Sequence, residues 1–200
     1  MNSTIDEKIF EIARKNGVIR PRELEVQGIS RQHLYHLYRK GLLNRVGRGL
    51  YVLIDTGATE NRTIAEVCKR VPGGVICLLS ALQLHGLTTQ MPFEVWIAID
   101  QKAWRPIEHQ LPIRIVYFSS SALESGIEER RIEGVPVKVY NPAKTIADCF
   151  KFRNKIGLDV AIEALQNCRR QRVCTNDDLW RYAKICRVWK VMKPYLEALL

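Results

Sequence analysis

The chain has 200 residues, 46% of them hydrophobic, and 31 lysines and arginines against 21 aspartates and glutamates, for a formal net charge of +10 and a pI near 9.5. That length allows one large domain or two small ones with ordinary cores, and the basic surface favours polyanionic partners. A disordered tail is excluded. No signal peptide is expected, since Met1 to Gly17 is charged throughout. The charge-free run from Val71 to Phe93 reads as buried core: Pro72, Gly73, Gly74, Gln83, His85 and Gly86 interrupt it, well short of the ~20 apolar residues a helical span needs. The six cysteines, Cys68, Cys77, Cys149, Cys168, Cys174 and Cys186, form no C-x-x-C pair, so reduced packing residues in a cytoplasmic protein are expected.

In chain order, Ile5, Ile9, Ile12 and Ala13 recur at helical spacing and predict a first helix that Gly17 can end. Arg20 to Val26 predicts a second, short helix, with Pro21 in its first turn, Leu24 on its buried side and Gly28 at the turn that follows. Ile29 to Val52 predicts a third helix and then a basic hairpin. Ser30 is the N-cap candidate and Gly41 the left-handed C-terminal cap. At ~100° per residue, Leu34, Leu37 and Tyr38 share one face, while Gln32, Tyr35, His36 and Arg39 share the other. Arg45 to Tyr51 reads as two short strands around a glycine turn tipped by Arg48. A helix armed on its outer face and followed by a basic β-wing is the winged helix-turn-helix pattern. Asp55 to Thr59 lacks apolar periodicity and reads as a linker, dividing the chain into residues 1–55 and 60–200.

The second part opens with a helix whose stripe is Ile64, Val67, Cys68 and Val71, followed by an apolar helix from about Val75 to His85. Phe93 to Ile99, Ile113 to Phe118, Glu128 to Ile132 and Val135 to Tyr140 predict about four strands in one sheet, the last two joined at Glu133-Gly134. From Asn141, which caps a helix with Pro142 in its first position, everything reads as helical. The fold class is α+β: an N-terminal winged helix-turn-helix, then a mixed α/β part with a small sheet and a C-terminal helical region.

Three clusters carry chemistry. On the third helix and wing, Arg39 and Gln32 suit guanine and adenine edges, Tyr35 and His36 a phosphate or a thymine methyl, Arg31 a phosphate, and Arg48 with Arg45 the adjacent minor groove. An isolated basic helix is more often merely solvated; the three-helix frame and wing turn the balance toward DNA. His33 and His36 stand at i, i+3 without a neighbouring cysteine or carboxylate, so no metal is expected, and no cofactor. Arg169, Arg170, Arg172 and Arg181 head a second basic cluster, with twelve lysines and arginines against five acids between Lys144 and Lys193. It reads equally well as a solvated face or as a second nucleic-acid surface, with Trp180 and Trp189 interleaved. Lys144 and Asp148 stand at i, i+4 with Thr145 beside them, as a salt bridge on a helix surface would.

The runs G-L-L-N-R-V-G-R-G-L-Y-V-L (Gly41 to Leu53), S-A-L-x-L-H-G-L (Ser80 to Leu87) and N-P-A-K-T-I-A-D-C-F-K-F-R-x-K-I-G (Asn141 to Gly157) together resemble the AbiEi regulators, bacterial antitoxins of type IV toxin–antitoxin and abortive-infection systems. The resemblance implies a winged-helix DNA-binding domain joined to an antitoxin domain, repression of the protein's own operon at an inverted repeat, and a nucleotidyltransferase-like toxin countered without a stable complex. It also raises the prospect that Lys144, Thr145 and Asp148 belong to the antitoxin surface. Two rival readings stay open. Asp100-x-Lys102 at a strand end resembles half of a metal-dependent nuclease site but lacks an acid just upstream, between Glu66 and Glu94. Alternatively, the second part senses a small ligand. No Walker loop, G-x-S-x-G or H-E-x-x-H is present, and no enzyme activity is expected.

Overall fold

A computed structural model describes residues 3–54, 60–103 and 111–198. The expected linker at Asp55 to Thr59 lies outside them. The chain divides into two compact units, one comprising Met1–Pro72 with Arg130–Val137 and the other Gly73–Glu129 with Lys138–Leu200.

The first unit begins α1 (Ser3–Asn16), β1 (Val18–Ile19), α2 (Pro21–Glu25), α3 (Arg31–Arg39), β2 (Leu43–Gly47), β3 (Leu50–Leu53) and α4 (Glu60–Arg70). Ile9 and Ala13 of α1, Leu24 of α2, and Leu34 and Leu37 of α3 bury their side chains with Leu43 and Leu53 in one core. The order β1-β3-β2 forms a small antiparallel sheet. β1 is too short for its own pattern to announce it: Val18 and Ile19 owe their extended state to pairing with Val52 and Tyr51. Helix α4 is tied to this unit by Lys69, whose Nζ donates to the Val18 carbonyl and to both carboxylate oxygens of Glu23, at 2.9 and 3.1 Å. Glu23 also accepts from the Arg20 amide at 3.1 Å and so closes the start of α2.

The second unit contains β4 (Val75–Ile76), α5 (Leu78–Leu84), β5 (Val95–Asp100), β6 (Ile113–Phe118), α6 (Ser120–Glu124), β7 (Ile127–Ile132) and β8 (Val135–Tyr140), although residues 130–137 of the last two group with the first unit. Five helices follow: α7 (Pro142–Lys151), α8 (Arg153–Ile156), α9 (Leu158–Gln171), α10 (Asn176–Ile185) and α11 (Trp189–Ala198). The sheet runs β6-β5-β4-β8-β7, with β5 and β6 parallel in unbroken register from Val95↔Ile113 to Asp100↔Phe118. It has five strands where four were expected. The extra one is β4, whose Val75 and Ile76 were read as the start of a helix; pairing with Ala98 and Ile97 on one side and Val139 on the other holds them extended. Helix α5 therefore begins only at Leu78.

α7 starts as its sequence predicts. Asn141 Oδ1 accepts from the Lys144 amide at 2.8 Å, and Pro142 takes the first turn. It packs against α5, α9 and α10 and is the central helix of this unit, with every residue from Ala143 to Phe150 buried.

The cysteine expectation needs one correction. Cys68, Cys77, Cys149 and Cys186 are free and buried, but Cys168 and Cys174 are joined as a disulfide. The cause is local. α9 ends with Arg172 in the left-handed region (φ 56°, ψ 36°), which turns the chain back and brings the Cα atoms of the two cysteines to 6.5 Å.

Candidate nucleic-acid interface

The third helix is set in place by two backbone turns. After α2, the Ile29 amide donates to the Leu24 carbonyl at 2.9 Å and the Gly28 amide to Glu25 at 3.0 Å. Ser30 Oγ then accepts from the Gln32 amide at 3.3 Å and caps α3. At its other end the Leu42 amide reaches Leu37 O and the Gly41 amide reaches Tyr38 O, both at 3.0 Å. This is the Schellman closure, which needs the positive φ of Gly41, 69°. Ser30→Ala is expected to cost about 1 kcal/mol of stability; urea denaturation at fixed protein concentration measures it, and an unchanged midpoint would contradict the capping role.

Between those ends, Leu34 and Leu37 are buried, and Arg31, Gln32, Tyr35, His36 and Arg39 are exposed. Tyr38, expected on the packing face, sits at its border. It is 38% exposed, and its ring meets that of Tyr51 edge-on at 6.0 Å. Tyr35 is 55% exposed, and the Arg39 guanidinium lies 5.9 Å from its ring centre. Such a pair presents a flat aromatic surface and a fork of donors on one side of the helix, suited to a base edge and its neighbouring phosphate.

β2 and β3 carry the rest. Register shifts between Arg45 and Gly47, so the hairpin is bulged and more strongly twisted there. Arg45 Nε donates to the Gly47 carbonyl at 3.2 Å across the bulge, and Arg48 stands exposed in the turn beyond. From α4, the Arg70 guanidinium occupies the space a Cβ at Gly47 would take, so glycine is what admits it against the hairpin. That supporting role of α4 was missed at the sequence level. Nothing local to Lys69 points to Val18 and Glu23, 51 and 46 residues upstream, or to Arg70's place against Gly47.

The second basic cluster lies on the last three helices. Arg170, Arg172 and Arg181 are exposed and Arg169 is half-buried. Arg181 is partly engaged, 3.5 Å from Asp178 and stacked 4.7 Å over the Tyr182 ring. Thr175 holds Asp178 by hydroxyl and amide, which keeps its carboxyl below the ordinary range. Trp180 and Trp189 pack on each other, half-buried, with exposed Lys184 one turn beyond the first and exposed Lys193 one turn beyond the second.

Lys144, Thr145 and Asp148 are not on a helix surface. All three are fully buried, which corrects the expectation of an exposed pair. α7 is covered on several sides, so its i, i+4 pair falls inside the core. Lys144 Nζ meets Asp148 Oδ2 at 2.5 Å and lies 4.0 and 4.9 Å from the ring centres of Tyr140 and Phe118. The other carboxylate oxygen accepts from Cys186 Sγ at 3.2 Å, and Thr145 Oγ1 donates to the Tyr140 carbonyl at 3.1 Å. Burial pushes the Asp148 carboxyl up, and the lysine ammonium pulls it back. A sealed pair of this kind offers nothing to a partner's surface; it orients α7, β8 and α10 against one another.

Asp100, the half-site of the nuclease reading, has both oxygens occupied, Oδ1 by the Lys102 amide at 2.8 Å and Oδ2 by Ser120 Oγ at 3.0 Å. Those bonds hold its carboxyl below the ordinary range. Among the described residues no group of three or more histidine, cysteine or acidic side chains is placed to hold a metal, and no helix is long and apolar enough to cross a membrane.

Known proteins add two findings. The crystal structure of the RV2827C protein from Mycobacterium tuberculosis shares the fold at a TM-score of 0.61 with 14% sequence identity, covering 90% of this chain and 71% of that one. No curated protein matches the chain. Residues 7–54, the stretch holding α3 and the hairpin, match the family model described as a transcriptional regulator, AbiEi antitoxin. The similarity to that family is carried by these residues, about a quarter of the chain.

Proposed function

We propose that this protein is a cytoplasmic repressor of its own operon and the antitoxin of a type IV toxin–antitoxin, abortive-infection system active in phage defence, acting by binding rather than catalysis. In this reading its first unit is a winged helix-turn-helix. α3 enters the major groove with Gln32, Tyr35, His36 and Arg39, Arg31 takes a phosphate at the helix start, and Arg45 and Arg48 reach the flanking minor groove from the wing. The observation that carries it is the pairing of α3, on which Arg31, Gln32, Tyr35, His36 and Arg39 are exposed, with an exposed wing arginine in one small unit ordered α1-β1-α2-α3-β2-β3. An inverted-repeat operator takes two copies, one per half-site. The basic face with Arg169, Arg170, Arg172 and Arg181 adds a sequence-independent grip on nucleic acid, raising affinity and its salt dependence. The toxin is nucleotidyltransferase-like and is countered without a stable complex.

Two experiments separate the halves. DNA from upstream of the gene is expected to be retained in a gel-shift assay at 100 mM salt, with affinity falling steeply by 300 mM; retention equal to that of scrambled DNA would remove the operator. Co-expression with the adjacent gene product is expected to restore growth, and continued toxicity would remove the antitoxin role while leaving repression standing.

A further inference from the structure

The six cysteines fall into two chemical classes. Burial pushes the Cys68 and Cys186 thiols up to about 12, and those of Cys77 and Cys149 well above their ordinary value, so all four stay protonated and unreactive at neutral pH. Cys168 and Cys174 are different. Their disulfide clasps the turn between α9 and α10, where the Val173 amide donates to Cys168 O at 3.3 Å and Arg169 reaches Asn176 Oδ1, also at 3.3 Å. Within the clasp lie Arg169, Arg170, Gln171, Arg172 and Val173, three cations in five residues. None of the three is in an ion pair among the described residues; Arg170 instead donates to Asn167 Oδ1 at 3.0 Å.

We propose that Cys168 and Cys174 form a thiol–disulfide switch that sets the shape of this arginine loop and thereby its grip on nucleic acid, an inference that rests on the nucleic-acid reading of the basic face. The loop has the parts such a switch needs. Arg172 is held left-handed, a conformation unfavourable for a residue with a Cβ, so opening the ring lets it relax and lets the neighbouring cations spread. Cys174 is only half-buried, whereas Cys168 is sealed in the core. A small thiolate therefore attacks Cys174 Sγ, and the Cys168 sulfur leaves as a thiolate that takes a proton from water as the turn opens. A second small thiol attacks the small-molecule sulfur of the mixed disulfide and releases Cys174. Two small thiols become one small disulfide while the protein gains two thiols, and the same couple run backwards is the oxidant. In a reducing compartment a disulfide persists only transiently, the condition under which such a pair senses rather than staples.

The test uses the full chain equilibrated in glutathione buffers from reducing to oxidising. Alkylation after denaturation is expected to count six thiols at one extreme and four at the other. Binding to non-specific duplex DNA, followed by fluorescence anisotropy at fixed salt, is expected to be about three- to tenfold tighter in the oxidised form. C174S is expected to bind like reduced wild type in every buffer. A constant thiol count across the series, or wild-type affinity independent of buffer while R170A/R172A binds more weakly, overturns the switch. R170A/R172A binding as tightly as oxidised wild type overturns instead the nucleic-acid reading of this face.

Discussion

Replacing Lys144 by methionine is expected to destabilise the protein by about 3–5 kcal/mol, because it strands the Asp148 carboxylate in a site with no exposure to water. For a chain of this size that lowers the melting temperature by roughly 10 °C. Methionine keeps the stem length and its contact with the Tyr140 and Phe118 rings, so the loss reports the charge rather than a cavity. The sign with pH follows from burial. Asp148 has its folded-state pKa raised above the unfolded value, so its contribution is most favourable at low pH and is lost as pH rises through the folded pKa. Without Lys144 to pull that value back, the penalty should shrink as pH falls toward 4 and grow above it. Urea denaturation of wild type and variant across pH 4–8 measures this, and a pH-independent difference would contradict the ion-pair account. Lys144→Met with Asp148→Leu removes both charges together and is expected to recover most of the loss. The DNA binding proposed for the first unit should not change except through the folded fraction, which separates this effect from the interface.

Arg39→Ala with Arg48→Ala is expected to abolish operator retention in the gel-shift assay while leaving the melting temperature within about 2 °C. Both side chains are exposed, and surface substitutions of this kind usually stay within ±0.5 kcal/mol. Their roles differ. A base-reading arginine is worth about 1–3 kcal/mol and relaxes specificity when lost, whereas a phosphate or minor-groove arginine weakens all sequences alike. The single variants should therefore divide: Arg39→Ala loses discrimination between operator and scrambled DNA, and Arg48→Ala lowers affinity for both with a shallower salt slope. Wild-type retention by the double variant would sink the assignment of this face.

Much of the fold is visible in the sequence where local chemistry decides it. The caps at Ser30 and Asn141, the glycine closure at Gly41 and the strand runs from Ile113 and Val135 fall where the residues say they do, because each rests on hydrogen bonds within a few positions. What escapes is decided at a distance. β1 and β4 are two residues long and exist only through their partners in β3, β5 and β8. Helix α4 reads as opening the second part because it follows a break, yet Lys69 fixes it to Glu23, 46 residues away. The outward set on α3 follows from a 100° projection, and only Tyr38 needs the structure to place it. The Lys144–Asp148 spacing reveals a pair but not its depth. An i, i+4 contact is the same on a wet face or a dry one, and the side chains that close over it come from β6, β8 and the end of α10.

That depth constrains how this domain can diverge. A lineage that changes either charge alone passes through a protein several kcal/mol weaker, more than most small folds can spare. The two positions can be exchanged only together, or after some other change has supplied the missing margin. Lys144 and Asp148 should thus persist in descendants whose binding partners have all been replaced, marking common ancestry rather than shared activity.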